Sequence, residues 1–201
     1  MPKLALNKSS LHRQSGLLKT FERYLPSLDL KRRQLIAERA RAAAALRGTL
    51  SEIEGLSATV AEELPMLSDR GVELDGLAGI SGVVLGEQNV MGARLPTLQA
   101  VQVERRPYSL LTKPHWVDGV VERLEHVLRL RVRADVERRR HDLLEAAVQK
   151  VTQRVNLFDK VLIPRARRNI KAIRMYLSDT ERAAVVRAKI AKRKHGREGR
   201  A

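Results

Sequence analysis

The chain has 201 residues, no cysteine, and 39 Lys plus Arg against 23 Asp plus Glu, a net charge of +16. The absence of cysteine excludes disulfide and thiol chemistry, and aromatics at 3% against 43% hydrophobic residues exclude a core built on large rings. What remains is a chain of long helices meeting along narrow Leu, Val and Ala seams, with an acidic partner: nucleic acid, anionic lipid or an acidic protein surface.

Residues 1–67 read as a first helical arm. Over 18–67 a seven-residue pattern runs through Leu18, Leu25, Arg32, Arg39, Leu46, Ile53, Val60 and Leu67, with a second set at Phe21, Leu28, Leu35, Ala42, Thr49, Leu56 and Glu63. Most of these are apolar, and about seven heptads in succession mark a coiled-coil strand. Pro26 is expected to bend or restart the helix. Arg32 and Arg39 weaken the seam locally, and such polar seam residues set register or face another partner.

Residues 68–115 differ in kind. Glycines crowd between Gly71 and Gly92, Pro96, Pro107 and Pro114 follow, and charges balance. The β-branched runs GVVLGEQ and TLQAVQV flank NVMGARLP, which predicts a short β-hairpin with irregular flanks rather than a plain helical turn.

Helical spacing resumes at residue 116 and runs to about 192, with 193–201 as a basic, fraying tail. Its apolar stripe reads Val117, Val121, Leu124, Leu128, Val132 and Val136, then Leu143, Ala147, Val151, Val155, Phe158, Leu162, Ile170, Ile173, Leu177 and Ala184. Pro164 interrupts this run, and the expectation is a local bend there with the Lys160 carbonyl freed from its usual partner. The predicted fold class is therefore mostly α: a long antiparallel two-helix coiled coil formed by N- and C-terminal arms, with a small middle insert holding a β-hairpin. At 1.5 Å per residue, arms of roughly 50 and 70 residues are on the order of 75–105 Å long.

Catalytic signatures are missing from the sequence. GISGVVLGEQ lacks the Gly-Lys-Ser/Thr ending of a phosphate loop and the Gly-x-Ser-x-Gly of a nucleophile elbow. His12, His115, His126, His141 and His195 are scattered, without the i, i+4 spacing of a helical metal pair. Carboxylates alternate with Arg on helix faces, the pattern of a solvated surface. No catalytic, cofactor-binding or metal residues are expected, and no run approaches the ~20 apolar residues of a membrane span. MPKLALNKSSLHRQ has no signal-peptide block, so a non-exported chain is expected. The basic end lacks aromatics for base stacking, which makes it a protein-facing tip before a nucleic-acid reader. A basic coiled-coil nucleic-acid-binding protein or a self-associating scaffold is the alternative.

TQRVNLFDKVLIPRARRNIKAIRMYLSDTER is similar to the C-terminal helix of the D subunit of the V-type (vacuolar/archaeal-type) rotary ATPases. The resemblance is carried by Arg154-Val155-Asn156, Ile163-Pro164, Ile170, Ile173, Leu177 and Glu181-Arg182. NVMGARLP resembles the family's middle segment at Asn89, Val90, Gly92 and Pro96, and KRRQL its N-terminal one at Lys31, Arg32 and Leu35. Ala93, Leu157, Asp179 and Pro26 depart from the family pattern. The resemblance implies a non-catalytic central rotor shaft reaching into a catalytic head hexamer of A and B subunits. It implies further contacts with the small F subunit of the stalk and with a funnel-shaped subunit above the membrane ring. Such a shaft is cytoplasmic and peripheral to the membrane, needs no cofactor and binds no nucleic acid. Arg182, Arg187, Lys189, Lys192, Arg193 and Lys194 are then expected at the head-facing tip.

Overall fold

The structure is a computed structural model that describes residues 4–68, 74, 76–108 and 114–198, without the side chains of 67–68 and 194–198. The fold is mostly α. Helix α1 spans Lys8–Glu63 and a 3-10 turn follows at Pro65–Ser68. Strands β1 (Ala78–Val90) and β2 (Ala93–Arg105) form an antiparallel hairpin. Helix α2 spans Trp116–Asn156, a π-helical turn occupies Leu157–Leu162, and α3 spans Ile163–Glu198. The chain divides into two compact units, one of Met1–Leu30 with Val151–Ala201 and one of Lys31–Lys150.

The first unit joins the beginning of α1 to the π turn and α3. Asn7 caps α1, its Oδ1 accepting from the Ser10 N–H at 2.7 Å, which satisfies one of the amides a helix start leaves open. The helices run antiparallel: Arg167 donates to Glu22 at 2.8 Å, and Asn169 donates to Gln14 at 3.4 Å. The chain's two phenylalanines, Phe21 and Phe158, meet edge to face with centroids 5.4 Å apart, a favoured ring geometry. Ile163, Ala166, Ile170 and Ile173 are the buried stripe of α3.

The second unit pairs the rest of α1 with α2, again antiparallel: Arg123 with Glu63, Thr49 with Glu137, and Arg39 with Glu145. At its base Leu77, Val117 and Val121 are buried together, with Leu74, Tyr108 and Trp116 packed against them. The hairpin folds back from this base along both helices. Pro96, Thr97 and Leu98 line a groove with Ala42 and Ala45 of α1 and Val136 of α2. Nearer the turn, Arg140 donates to the Gln88 side chain at 2.7 Å.

The predicted seam of α1 is present. Leu35, Ala42 and Thr49 are buried, and the other expected seam positions from Leu18 to Val60 are half-buried. Glu63 is exposed, and the side chain of Leu67 lies outside the described residues. Helix α1 passes through Pro26 without restarting.

Three expectations for the C-terminal arm change, the simplest being that Ala184, placed last on the predicted stripe, is exposed because seam packing ends before it. Leu144 and Val148 are buried in place of Leu143, which is 40% exposed, and Ala147. The buried and half-buried positions run Leu130, Ala134, Glu137, His141, Leu144, Val148, Val151 and Val155 at alternating spacings of four and three. Counting only apolar residues misplaces this seam, because Glu137 and His141 hold two of its positions. The irregularity expected at Pro164 lies N-terminal to it and is a π turn. Ile163 N–H donates five residues back to the Phe158 carbonyl, and the flanking Asn156 and Ile163 keep helical dihedrals. The proline then sits directly after the widened turn, in the first turn of α3.

Candidate functional site

Apart from Lys31, Arg32 and Leu35 on α1, the residues singled out in the sequence fall into three places. The first is the far end of α3. Every residue from Asp179 to Arg193 is exposed, because seam packing stops after Leu177 and Ser178, which are half-buried. Arg182, Arg187, Lys189, Lys192 and Arg193 lie on this stretch, interleaved with Val185, Val186 and Ile190, each more than half exposed. Positions 182, 186, 189 and 193 share one helix face, so a basic and aliphatic surface is displayed together. Lys194 follows on the same helix, its side chain outside the described residues.

The second place is the π turn and its flanks. Val155 and Ile163 are buried and bracket it, Asn156 is the last α2 residue before it, and Pro164 follows it half-buried. Arg154 is exposed, as are Glu181 and Arg182 further along. These motif residues therefore divide into seam positions and solvent-facing charges.

The third place is the hairpin turn. Met91 and Gly92 have φ of 51° and 80°, and Val90 pairs with Ala93 across them. Two successive positive φ values make a type I′ turn, whose twist matches that of the strands and favours Gly at the second position. Asn89 Oδ1 accepts from the Gly92 N–H at 2.8 Å, fastening the turn from one side. Pro96 stands opposite Glu87 and is half-buried against the helices.

Sequence reading missed the polar contacts that hold this arrangement. Glu125 is 7% exposed and pairs with Arg105 at the end of β2 and with Arg129 on its own helix. The hydrogen bond from Arg105, with the charges of Arg105 and Arg129, outweighs desolvation and lowers the Glu125 pKa below its ordinary value. The same contact raises the Arg105 pKa. Tyr108 donates to Asp118, and that bond together with burial raises the tyrosine pKa. Thr49, 2% exposed, donates to Glu137 at 2.7 Å, and Arg133 donates to the other carboxylate oxygen at 3.0 Å. The one available signal for Glu137 was the four–three count extended back from Val155 through polar residues.

Charge separates the two units. Residues 1–30 and 151–201 hold 20 basic and 6 acidic residues, a net +14, while 31–150 hold 19 and 17, a net +2. Among the described residues there is no group of three His, Asp or Glu placed to hold a metal, and no helix long and apolar enough to cross a membrane. What the geometry offers is an exposed basic helix end, polar-locked helix pairs and a clamped hairpin.

Residues 10–193 match the family model described as the D subunit of ATP synthase. The chain belongs to that family. It is 35% identical over 192 residues to the V-type ATP synthase D subunit of Borreliella burgdorferi, covering 96% of this chain and 95% of that one. It is 30% identical to the D subunit of Chlamydia felis over 95% of this chain and 93% of that one, and 30% identical to that of Chlamydia muridarum over 95% of each. The family match includes α1, the hairpin, α2, the π turn and most of α3, so the D-subunit likeness rests on every element described above.

Proposed function

We propose that the chain is the central rotor shaft of a V-type rotary ATPase or ATP synthase, a non-catalytic component. It couples ATP hydrolysis or synthesis in a catalytic head to ion movement through a membrane ring. The observation that carries this reading is the D-subunit family match over both helical arms and the hairpin. Physical features support it. A shaft transmitting torque needs long helices paired along continuous seams, and seams with buried polar pairs hold one register.

In this reading the exposed α3 end meets the A and B subunits of the head. Arg182, Arg187, Lys189, Lys192, Arg193 and Lys194 face acidic surfaces there, and the +14 unit supplies the attraction. The small F subunit binds the near-neutral unit, where Ile80, Val83, Val84 and Leu85 of β1 are exposed and suit a partner held by burial more than by charge. A funnel-shaped subunit seats the shaft above the ring, placing it on the cytoplasmic side, peripheral to the membrane. Arg154, Val155, Asn156, Ile163, Pro164, Glu181, Asn89, Gly92 and Pro96 are structural in this account.

The test is reconstitution of an A–B head with and without the chain, following ATP hydrolysis and rotation. The chain should enter a defined complex and turn on hydrolysis. Changing Lys189, Lys192, Arg193 and Lys194 to Glu should leave the helices folded and uncouple hydrolysis from rotation. No complex, or unchanged coupling in the reversed variant, defeats the shaft reading or its charge-based contact respectively.

A further inference from the structure

The π turn has a countable consequence for α3. Along the C-terminal arm the seam alternates fours and threes up to Val151 and Val155, and again through Ile163, Ala166, Ile170 and Ile173. Between Val155 and Ile163 lie eight steps, where the repeat allows seven. Phe158 keeps its expected seam place against Phe21, so the surplus residue falls after it, inside Leu157–Leu162. Each α-helical residue turns the chain by about 100°. A surplus residue in plain α geometry would therefore carry Ile163, Ala166, Ile170, Ile173 and Leu177 off the seam. Leu162, Arg165, Asn169, Ala172 and Tyr176 would replace them, burying a guanidinium and an amide. A π turn absorbs one residue without breaking the helix.

Pro164 bears on where the turn sits. A proline crowds the carbonyl four residues before it and cannot donate, so α geometry is disfavoured in the turn ahead of it. That is where the ladder has widened, with Ile163 N–H reaching Phe158 O.

We infer that Leu157–Leu162 is a register device. It stores one surplus residue, and Pro164 pins that residue to a single place, keeping α3 in phase with α1. The proline and the surplus residue are then one coupled feature, each tolerated because of the other. Without the pin, the widened turn is free to migrate along the helix, rotating every residue it passes.

Deletions in the full-length protein, followed by thermal unfolding in circular dichroism, test this. Lys160 and Arg168 are both exposed, so removing either discards no buried side chain. Deleting Lys160 restores seven-residue spacing but leaves Pro164 inside a continuous α-helix. Combining that deletion with Pro164→Ala should recover a Tm within about 3 °C of the parent. In the deletion background Pro164→Ala should raise Tm by about 6–12 °C, while in the parent it should shift Tm by less than about 3 °C. Deleting Arg168 throws Ile170 and Ile173 off the seam and should lower Tm by more than about 10 °C, up to loss of the fold. The inference is overturned if the Lys160 deletion carrying Pro164→Ala melts as low as the Arg168 deletion. It is equally overturned if Pro164→Ala has the same effect in both backgrounds.

Discussion

The unit built from the two ends of the chain and the unit between them use the same construction, antiparallel helices on a heptad seam, and differ in how they treat charge. The middle unit uses its acids internally: Glu125 on Arg105 and Arg129, Glu137 on Arg133 and Thr49, Glu63 on Arg123, and Glu145 on Arg39. The terminal unit has few acids to use, 6 against 20 basic residues, and pairs Glu22 with Arg167. Its seam combines aliphatic burial, an aromatic pair and the Asn169–Gln14 hydrogen bond, and most of its positive charge is not balanced by its own acids. Unbalanced positive charge costs stability through self-repulsion but steers an acidic partner from a distance. A balanced, cross-linked unit gives up that steering and gains fixed register.

Four measurements would break or sharpen this contrast. The largest effect should come from cavities: Ile173→Ala in the terminal unit and Leu144→Ala in the middle unit, both 0% exposed, should each lose about 2–5 kcal/mol of unfolding free energy in denaturant titrations. If the two units are equally dependent on their seams the losses will be similar. A near-neutral Ile173→Ala would mean that the terminal seam contributes little.

Next is Glu125→Gln, which should lower Tm at neutral pH by weakening the hairpin's hold on α2. Because the folded pKa of Glu125 lies below its ordinary 4.5, its pairing stabilises the fold above that value and is lost as pH falls through the lower folded value. The parent should therefore lose stability over that acidic window more steeply than the Gln variant, and parallel curves would count against the ion pair. Thr49→Val comes third, with a loss of about 1 kcal/mol from the broken bond to Glu137. The smallest is Asn89→Ala at the exposed turn, about 0.5 kcal/mol, read as faster amide exchange at Gly92 with the helices unchanged.

The N-terminal arm was largely legible because its seam residues are apolar or small and α1 tolerates Pro26 without changing phase. The C-terminal seam was displaced by one position over Leu143 and Ala147 because hydrophobicity is a proxy for facing inward, and Glu137 and His141 face the seam while being polar. The π turn was announced by Pro164 but not readable as such: a one-residue surplus shows only when buried positions can be counted on both sides. NVMGAR gave away the hairpin turn, since Gly after Met at the tip of two β-branched runs has few other uses. The Glu125–Arg105 contact had no local pattern, because its partners lie 20 residues apart and meet only once the hairpin has folded back. The basic α3 end was legible as charged, but the predicted stripe ran on to Ala184, which is exposed, because a lone small residue at the right spacing need not face a partner.

Loop-closure entropy also makes one order of assembly of the antiparallel pairs less costly than the others. The two-residue hairpin turn closes a short loop, Arg123 reaches Glu63 across 60 residues, Thr49 reaches Glu137 across 88, and Asn169 reaches Gln14 across 155. Each contact shortens the loop that the next must close, so zipping outward from the hairpin avoids meeting the full entropic cost of the longest one at once. On a ribosome the start of α1 emerges early but gains its partners only after the π turn and α3 have been made. A nascent chain stalled before Phe158 would therefore present Phe21 with no ring to meet.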